Sequence, residues 1–307
     1  MTRGVHGEKL VAAINSPKVP ATDKERLQKA LDKYDLWISE INTHTENSVD
    51  SLITSLVQCL TNYKYYIDVD LIFDSQEDFL YRQKGQMKLD NTIVEEFLPI
   101  LVRRCIELEY GACDYIVDSQ KPIFSSAYFN SSLSTPEIGG GLEIKTKDQD
   151  FSISREIHLR SSYSGLFSST ETREKTTYLG YVLAEIKTNL DKTMFQEASA
   201  TAHDVKLAVT GAKYYLLCDF LDMTPISTST TDIEEILILR KAKRMSSNIR
   251  KNFNTFAGRQ AHRDEYVYHL DDHPYSAEVF QRFVNHIFDQ INNESLIEGD
   301  VLDIGYF

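Results

Sequence analysis

Glu185-Ile186-Lys187 follows an apolar run of strand length, Tyr178 to Ala184. Side chains alternate along a strand, so Glu185 and Lys187 share one face and Ile186 takes the other. An acid and an amine at the end of a buried strand are costly unless they pair or bind something. A second acid, Asp150, lies in KDQDFSI, residues 147–153. Read as one strand from Lys147 to about Leu159, this stretch places Asp148, Asp150 and Ser152 on one face and Phe151 and Ile153 on the other. Two carboxylates brought together from neighbouring strands repel, and a divalent cation relieves that repulsion. Oxygen-only ligands favour Mg²⁺, which keeps waters and accepts substrate phosphate oxygens. Such an ion lowers the pKa of bound water and stabilises charge on a phosphate. Asp150, Glu185 and Lys187 thus suit phosphodiester hydrolysis without a covalent intermediate, with Lys187 orienting the water. A structural ion pair is the alternative for Glu185 and Lys187 alone.

The elements that must position these groups follow from pattern. E-x-K occurs twice, but Glu143-Ile144-Lys145 follows three glycines, with no buried run before it and no capped helix after it. After Lys187 the chain turns polar, and Asp191 or Thr193 can cap a helix through Phe195, Ala198, Ala202 and Val205, with Gly211 as its stop. The 35-residue gap between Asp150 and Glu185 is long for a simple hairpin and calls for a loop insertion over residues 161–175. Upstream, a helix from Thr92 to about Glu107 fits a capping box, Thr92-x-x-Glu95. That leaves Glu96 as a helix-borne acid behind the metal, with a solvated carboxylate as its alternative. Residues 1–88 look helical, over residues 22–41 and 49–71 at helical spacing. Further strands fit Asp114–Val117, Ile123–Phe129, Tyr214–Leu221 and Glu235–Leu239, and helices fit residues 246–256 and 277–292. The fold class expected is α/β: a mixed central sheet flanked by helices. The division expected is a helical N-terminal region (1–88), a core (89–245) and a helical C-terminal region (246–307).

The 307-residue chain carries a net charge of −13, which alone argues against a polyanionic partner. Its distribution argues otherwise. Residues 236–263 hold eight Lys and Arg and no acid, whereas residues 264–307 hold ten acids and one Arg. Arg240, Lys241, Lys243, Arg244, Arg250 and Lys251 are the candidate DNA contacts, a solvated helix face being the alternative. Cys59, Cys105, Cys113 and Cys218 form no C-x-x-C pair and read as reduced thiols, so a cytoplasmic protein is expected. No apolar segment reaches membrane-spanning length. The His/Asp-rich residues 262–273 match no zinc or iron spacing and read as a surface loop. Tyr63, Tyr65 and Tyr66 read as core in preference to a base-stacking cluster. Gln196 or Glu197 could touch metal or backbone, with helix capping an equal account of Gln196.

KDQDFSI and AEIKTNLDKTMFQEA (184–198), with Lys88-Leu89-Asp90 and Glu95-Glu96-Phe97-Leu98-Pro99, resemble the Bpu and BbvCI type of type II restriction endonuclease. That family looks like a branch of the PD-(D/E)XK nucleases, and the likeness covers about residues 80–240. It implies Mg²⁺-dependent cleavage of double-stranded DNA at a short sequence, by two subunits that each cut one strand. By position, Glu185 and Lys187 match the E-x-K half and Asp150 the preceding acid, with Asp148 the other choice. The motif's proline is absent, Gln149 standing before Asp150. Two rival readings are a repair or recombination nuclease of the same fold, and a DNA-binding or partner-binding subunit without catalysis of its own.

Overall fold

The computed structural model describes residues 3–292, together with residues 302, 303 and 305. Five helices come first: α1 (Val5–Asn15), α2 (Ala21–Thr43), α3 (Val49–Tyr65), α4 (Phe79–Gln83) and α5 (Thr92–Tyr110). Pro17 and Pro20 separate α1 from α2, as a residue without an N–H must. Instead of running on to Leu71, α3 widens into a π-helix at Tyr66–Phe73. There Lys64 pairs with Asp68 at 2.5 Å, both buried.

The sheet is built from β1 (Ile116–Asp118), β2 (Lys121–Phe129), β3 (Leu142–Gln149), β4 (Phe151–Ser161), β5 (Arg173–Leu190), β6 (Lys213–Leu221) and β7 (Glu235–Lys243). Its axis is β5. Antiparallel β4 runs along one edge, from Phe151 opposite Ala184 to Ser161 opposite Arg173. On the other edge, parallel β2 meets β5 at Ile123 and Tyr178, and parallel β6 takes over from Val182 onward. β1, β3 and β7 complete the mixed sheet against β4, β2 and β6 respectively. The expected strand 147–159 is therefore two strands, with a bend at Asp150. The long Asp150–Glu185 separation is taken up mostly by two long paired strands. Only residues 162–172 form the loop.

Between β5 and β6 lies α6 (Lys192–Lys206). Asp191 caps it, its carboxylate accepting from the Met194 N–H at 2.9 Å. After β7 come α7 (Ser247–Arg250), α8 (Phe256–Ala261), α9 (Arg263–Asp272) and α10 (Ala277–Asn292). The His/Asp-rich stretch read as a surface loop is thus mainly α9. Its Tyr266 stacks on Phe73 at 4.2 Å.

Period-two alternation divides the sheet between two cores. Ala184 and Ile186 of β5, with Phe151, Tyr215 and Leu217, face α3, α5 and α10 and join the N-terminal helices in one continuous apolar cluster. Leu183, Tyr214, Leu216 and Cys218 face the other way, onto Phe195, Ala198 and Ala202 of α6. Tyr63 stacks on Trp37 at 4.5 Å in the first cluster, the core role expected of it. No described helix is long and apolar enough to cross a membrane.

Candidate active site

The bend at Asp150 places its carboxylate at the end of β4, one step beyond the Phe151–Ala184 pair and so beside Glu185. Asp150 Oδ2 accepts the Ile186 N–H at 2.8 Å. Burial raises the Asp150 pKa; that N–H and Lys187 hold it down in part, and Glu185 adds repulsion. On β5, Lys187 Nζ meets Glu185 Oε1 at 2.6 Å. The Tyr214 hydroxyl donates to Glu185 Oε2 at 3.1 Å. Burial alone would lower the Lys187 pKa, but Glu185, Asp150 and Glu197 together outweigh it and leave it raised. Lys187 is therefore an ammonium at neutral pH. Asp150, 35 residues upstream in the chain, thus meets the Glu185–Lys187 pair at one end of β5.

A cleft of about 430 Å³ opens here. Residues 84–91 and the first turn of α5 form part of its wall, with the end of β5, Asp191 and Arg244 forming the rest. The helix-borne acid in this wall is Glu95. Its side chain is 1% exposed, and its Oε2 is buried without a hydrogen-bond partner. Burial, then the charge of Asp150, pushes the Glu95 carboxyl up to about 7, against the pull of Lys88, Gln120 and Lys187. The expected capping box does not form: Asn91 is the N-cap and makes no side-chain cap bond.

Glu96, the acid expected behind the metal, points away from the cleft. It accepts the His6 and Gly7 N–H groups at 2.7 and 3.3 Å and the Tyr34 hydroxyl at 2.5 Å. This carboxylate serves the N-terminus of α1, whose own cap residue, Gly4, has no side chain to offer. Every residue from Thr92 to Pro99 is buried, so an apolar stripe could not tell the two acids apart. The polar spacing Lys88, Asn91, Glu95 (i, i+3, i+7) is the signal that marks the cleft side. Asp148 is exposed in β3, opposite Pro122 of β2. The bend breaks the alternation that would have set it beside Asp150.

The basic segment also divides. Arg240 is 3% exposed, donates to the His273 carbonyl at 2.8 Å and lies 4.1 Å over the Tyr275 ring. It holds α9 against the sheet and is no surface contact. Lys241 is tied to Glu278. Arg259, fully buried, donates to the carbonyls of Phe73, Ser75, Glu77 and Phe253. Arg263 grips Asp74. Arg244 lines the cleft while paired with Asp222 at 2.7 Å. Arg250 reaches the same Asp222 at 3.9 Å, and Lys243 and Lys251 are exposed. The second E-x-K copy is structural: Glu143 is held by Arg173 and Lys175.

Among the described residues, no three His, Cys, Asp or Glu side chains converge as a ready-made cation cage. Glu185 is drawn onto Lys187 and Tyr214. The donor chemistry nonetheless fits a hard divalent cation. Half-buried Asp150 and buried Glu95 are crowded carboxylates whose proton affinity is raised, and Glu95 Oε2 has no hydrogen-bond partner among the described residues. An ion that keeps several waters needs only one or two protein carboxylates.

Comparison with known proteins places the chain in a family. A search of curated proteins finds no match. A solved structure described as the native BbvCI A2B2 tetramer at low resolution is similar, with a TM-score of 0.57 and 20% identity, over 90% of this chain and 91% of that one. That likeness extends to the fold. Residues 86–307 match the profile of the Bpu10I restriction endonucleases, a span that includes Glu95, Asp150, Glu185 and Lys187. The chain belongs to the Bpu10I restriction endonuclease family, and its activity is that of a site-specific deoxyribonuclease.

Proposed function

We propose that this chain is a Mg²⁺-dependent type II restriction endonuclease subunit in which Asp150 and Glu185 hold the metal, Glu95 completes the oxygen set and Lys187 assists the nucleophilic water. The observation that carries this reading is the meeting of Asp150 with the Glu185–Lys187 pair at one end of β5. When bound, the ion supplies Lewis-acid activation of water and charge neutralisation at the phosphate. The protein's own groups do the positioning. The Ile186 N–H fixes the Asp150 carboxylate. The Tyr214 hydroxyl and Lys187 fix Glu185 from two sides. Being an ammonium, Lys187 donates a hydrogen bond to the attacking water; it does not remove a proton. The nuclease core is residues 89–245, flanked by an N-terminal region (1–88) and a C-terminal region (246–307) whose described helices, from α1 to α4 and from α7 to α10, surround it. Arg244, Arg250, Lys243 and Lys251 contact the DNA backbone.

The BbvCI structure is described as an A2B2 tetramer, which supports a multimer here as well: a second nuclease subunit or a second copy, each cutting one strand of double-stranded DNA in the cytoplasm. The test is to incubate plasmid with the chain alone, and with the product of its genomic neighbour, in Mg²⁺ and in EDTA. Discrete Mg²⁺-dependent fragments support the reading. Smears or branch-specific cuts favour a structure-specific nuclease and would overturn it.

A further inference from the structure

The cleft is rich in acid, since Asp90, Glu95, Asp150 and Asp191 line it and Glu185 adjoins. A polyanion can enter only where cations answer its charge. Most cations of the cleft are already committed. Lys84 is held by Asp90 at 2.9 Å, Lys187 by Glu185 at 2.6 Å and Arg244 by Asp222 at 2.7 Å. Lys88 also lines the cleft, is exposed, and forms no ion pair with any described residue.

Its backbone is unusual too. Lys88 has φ +55, one of four non-glycine residues at positive φ among the described residues. Side-chain crowding makes that conformation unfavourable for lysine, and such positions cluster at functional sites. A second of the four, Gln120, also lies beside Glu95. Around Lys88 the chain is fixed on both sides. Its N–H donates to the Gly85 carbonyl at 3.2 Å, and its carbonyl accepts the Thr92 hydroxyl at 2.7 Å. The backbone is thus pinned in a conformation that glycine would take more readily, yet the position carries a long cationic side chain.

We propose that Lys88 is a phosphate-binding residue of the cleft, its ammonium contacting a non-bridging oxygen of the DNA backbone next to the bond that is cut. The contact rests on the nuclease reading above and adds a residue from a different element than β5. The bound strand then lies between Lys88 on the loop before α5 and Lys187 on the sheet. A monodentate ammonium carries no base information, so the contact serves every DNA sequence alike.

The experiment compares wild type, Lys88→Gly and Lys88→Arg in the full protein. Glycine relieves the backbone conformation while deleting the charge, so a purely structural role would leave the Lys88→Gly protein fully active. Cleavage of plasmid is measured over a range of DNA concentrations with Mg²⁺, and duplex binding without metal is followed by anisotropy over a salt series. The Lys88→Gly variant is expected to raise the apparent KM about tenfold, and to make the slope of log affinity against log salt shallower by about one. The Lys88→Arg variant is expected to keep the wild-type slope. A Lys88→Gly protein with wild-type KM and salt slope overturns the phosphate contact. A wild-type protein that cuts no plasmid under any subunit combination overturns the nuclease reading, and this contact with it.

Discussion

Glu95 offers the sharpest quantitative test. Its carboxyl is pushed from an ordinary 4.5 up to about 7, first by burial and then by Asp150. A carboxyl whose folded pKa is raised contributes stability that is complete below the unfolded value and is lost as pH climbs through the folded value. At roughly 1.4 kcal/mol per tenfold change in proton affinity, the full loss is about 3 kcal/mol. Glu95→Gln keeps the shape and removes the titration. In EDTA, urea unfolding should therefore find the Glu95→Gln protein more stable than wild type by about 1 kcal/mol near pH 5.5, growing to about 3 kcal/mol at about pH 8. Mg²⁺ at about pH 8 should stabilise wild type more than the variant, since a bound cation favours the ionised form. A difference that is the same at both pH values would refute the placement of Glu95 among crowded, buried charges. So would a variant less stable than wild type at the higher pH.

Other consequences are open to direct measurement. Lys187→Ala is expected to lower plasmid cleavage by at least about a hundredfold with little change in fold or duplex binding, as read by gel, circular dichroism and anisotropy; an active variant would refute its role. Arg259→Ala strands the four carbonyls it holds and should cost about 3–5 kcal/mol in urea unfolding, whereas a surface arginine would cost almost nothing. Gly7→Ala drives a methyl into the Tyr34 ring and should cost about 1–3 kcal/mol; unchanged unfolding would show that this contact is loose. Lys243→Ala and Lys251→Ala should each make the salt slope of DNA binding shallower by about one without changing stability. Arg240→Met should do the reverse, because its guanidinium is packed against Tyr275.

Glu185 and Lys187 were legible because a strand has a rigid period and a buried run marks its orientation. Asp191 was legible as one of two candidate caps, with Thr193, because capping is local chemistry, and the fold selects Asp191. Asp150 was legible as a residue but not as a geometry. The bend that puts it beside Glu185 depends on β3 and β4 pairing with different partners, β2 and β5, and pairing over such distances leaves no local trace. Glu95 and Glu96 were exchanged because an acid four residues into a helix looks like a capping partner, while the true demand on Glu96 came from α1, some ninety residues earlier. The basic segment misled for a related reason. A run of arginines looks solvated until the carbonyls of a distant turn claim one of them, as they claim Arg259.

Adjacent acids that face opposite ways make the amino-terminal end of this protein less disposable than its distance from the sheet suggests. Cutting the chain back past Gly7, or fusing a bulky affinity tag directly ahead of Gly4, would unlatch α1 from the carboxylate at 96. A buried carboxylate left without the His6 and Gly7 N–H donors costs stability, so such a preparation should unfold at lower urea, and a tag at this end needs a removable spacer.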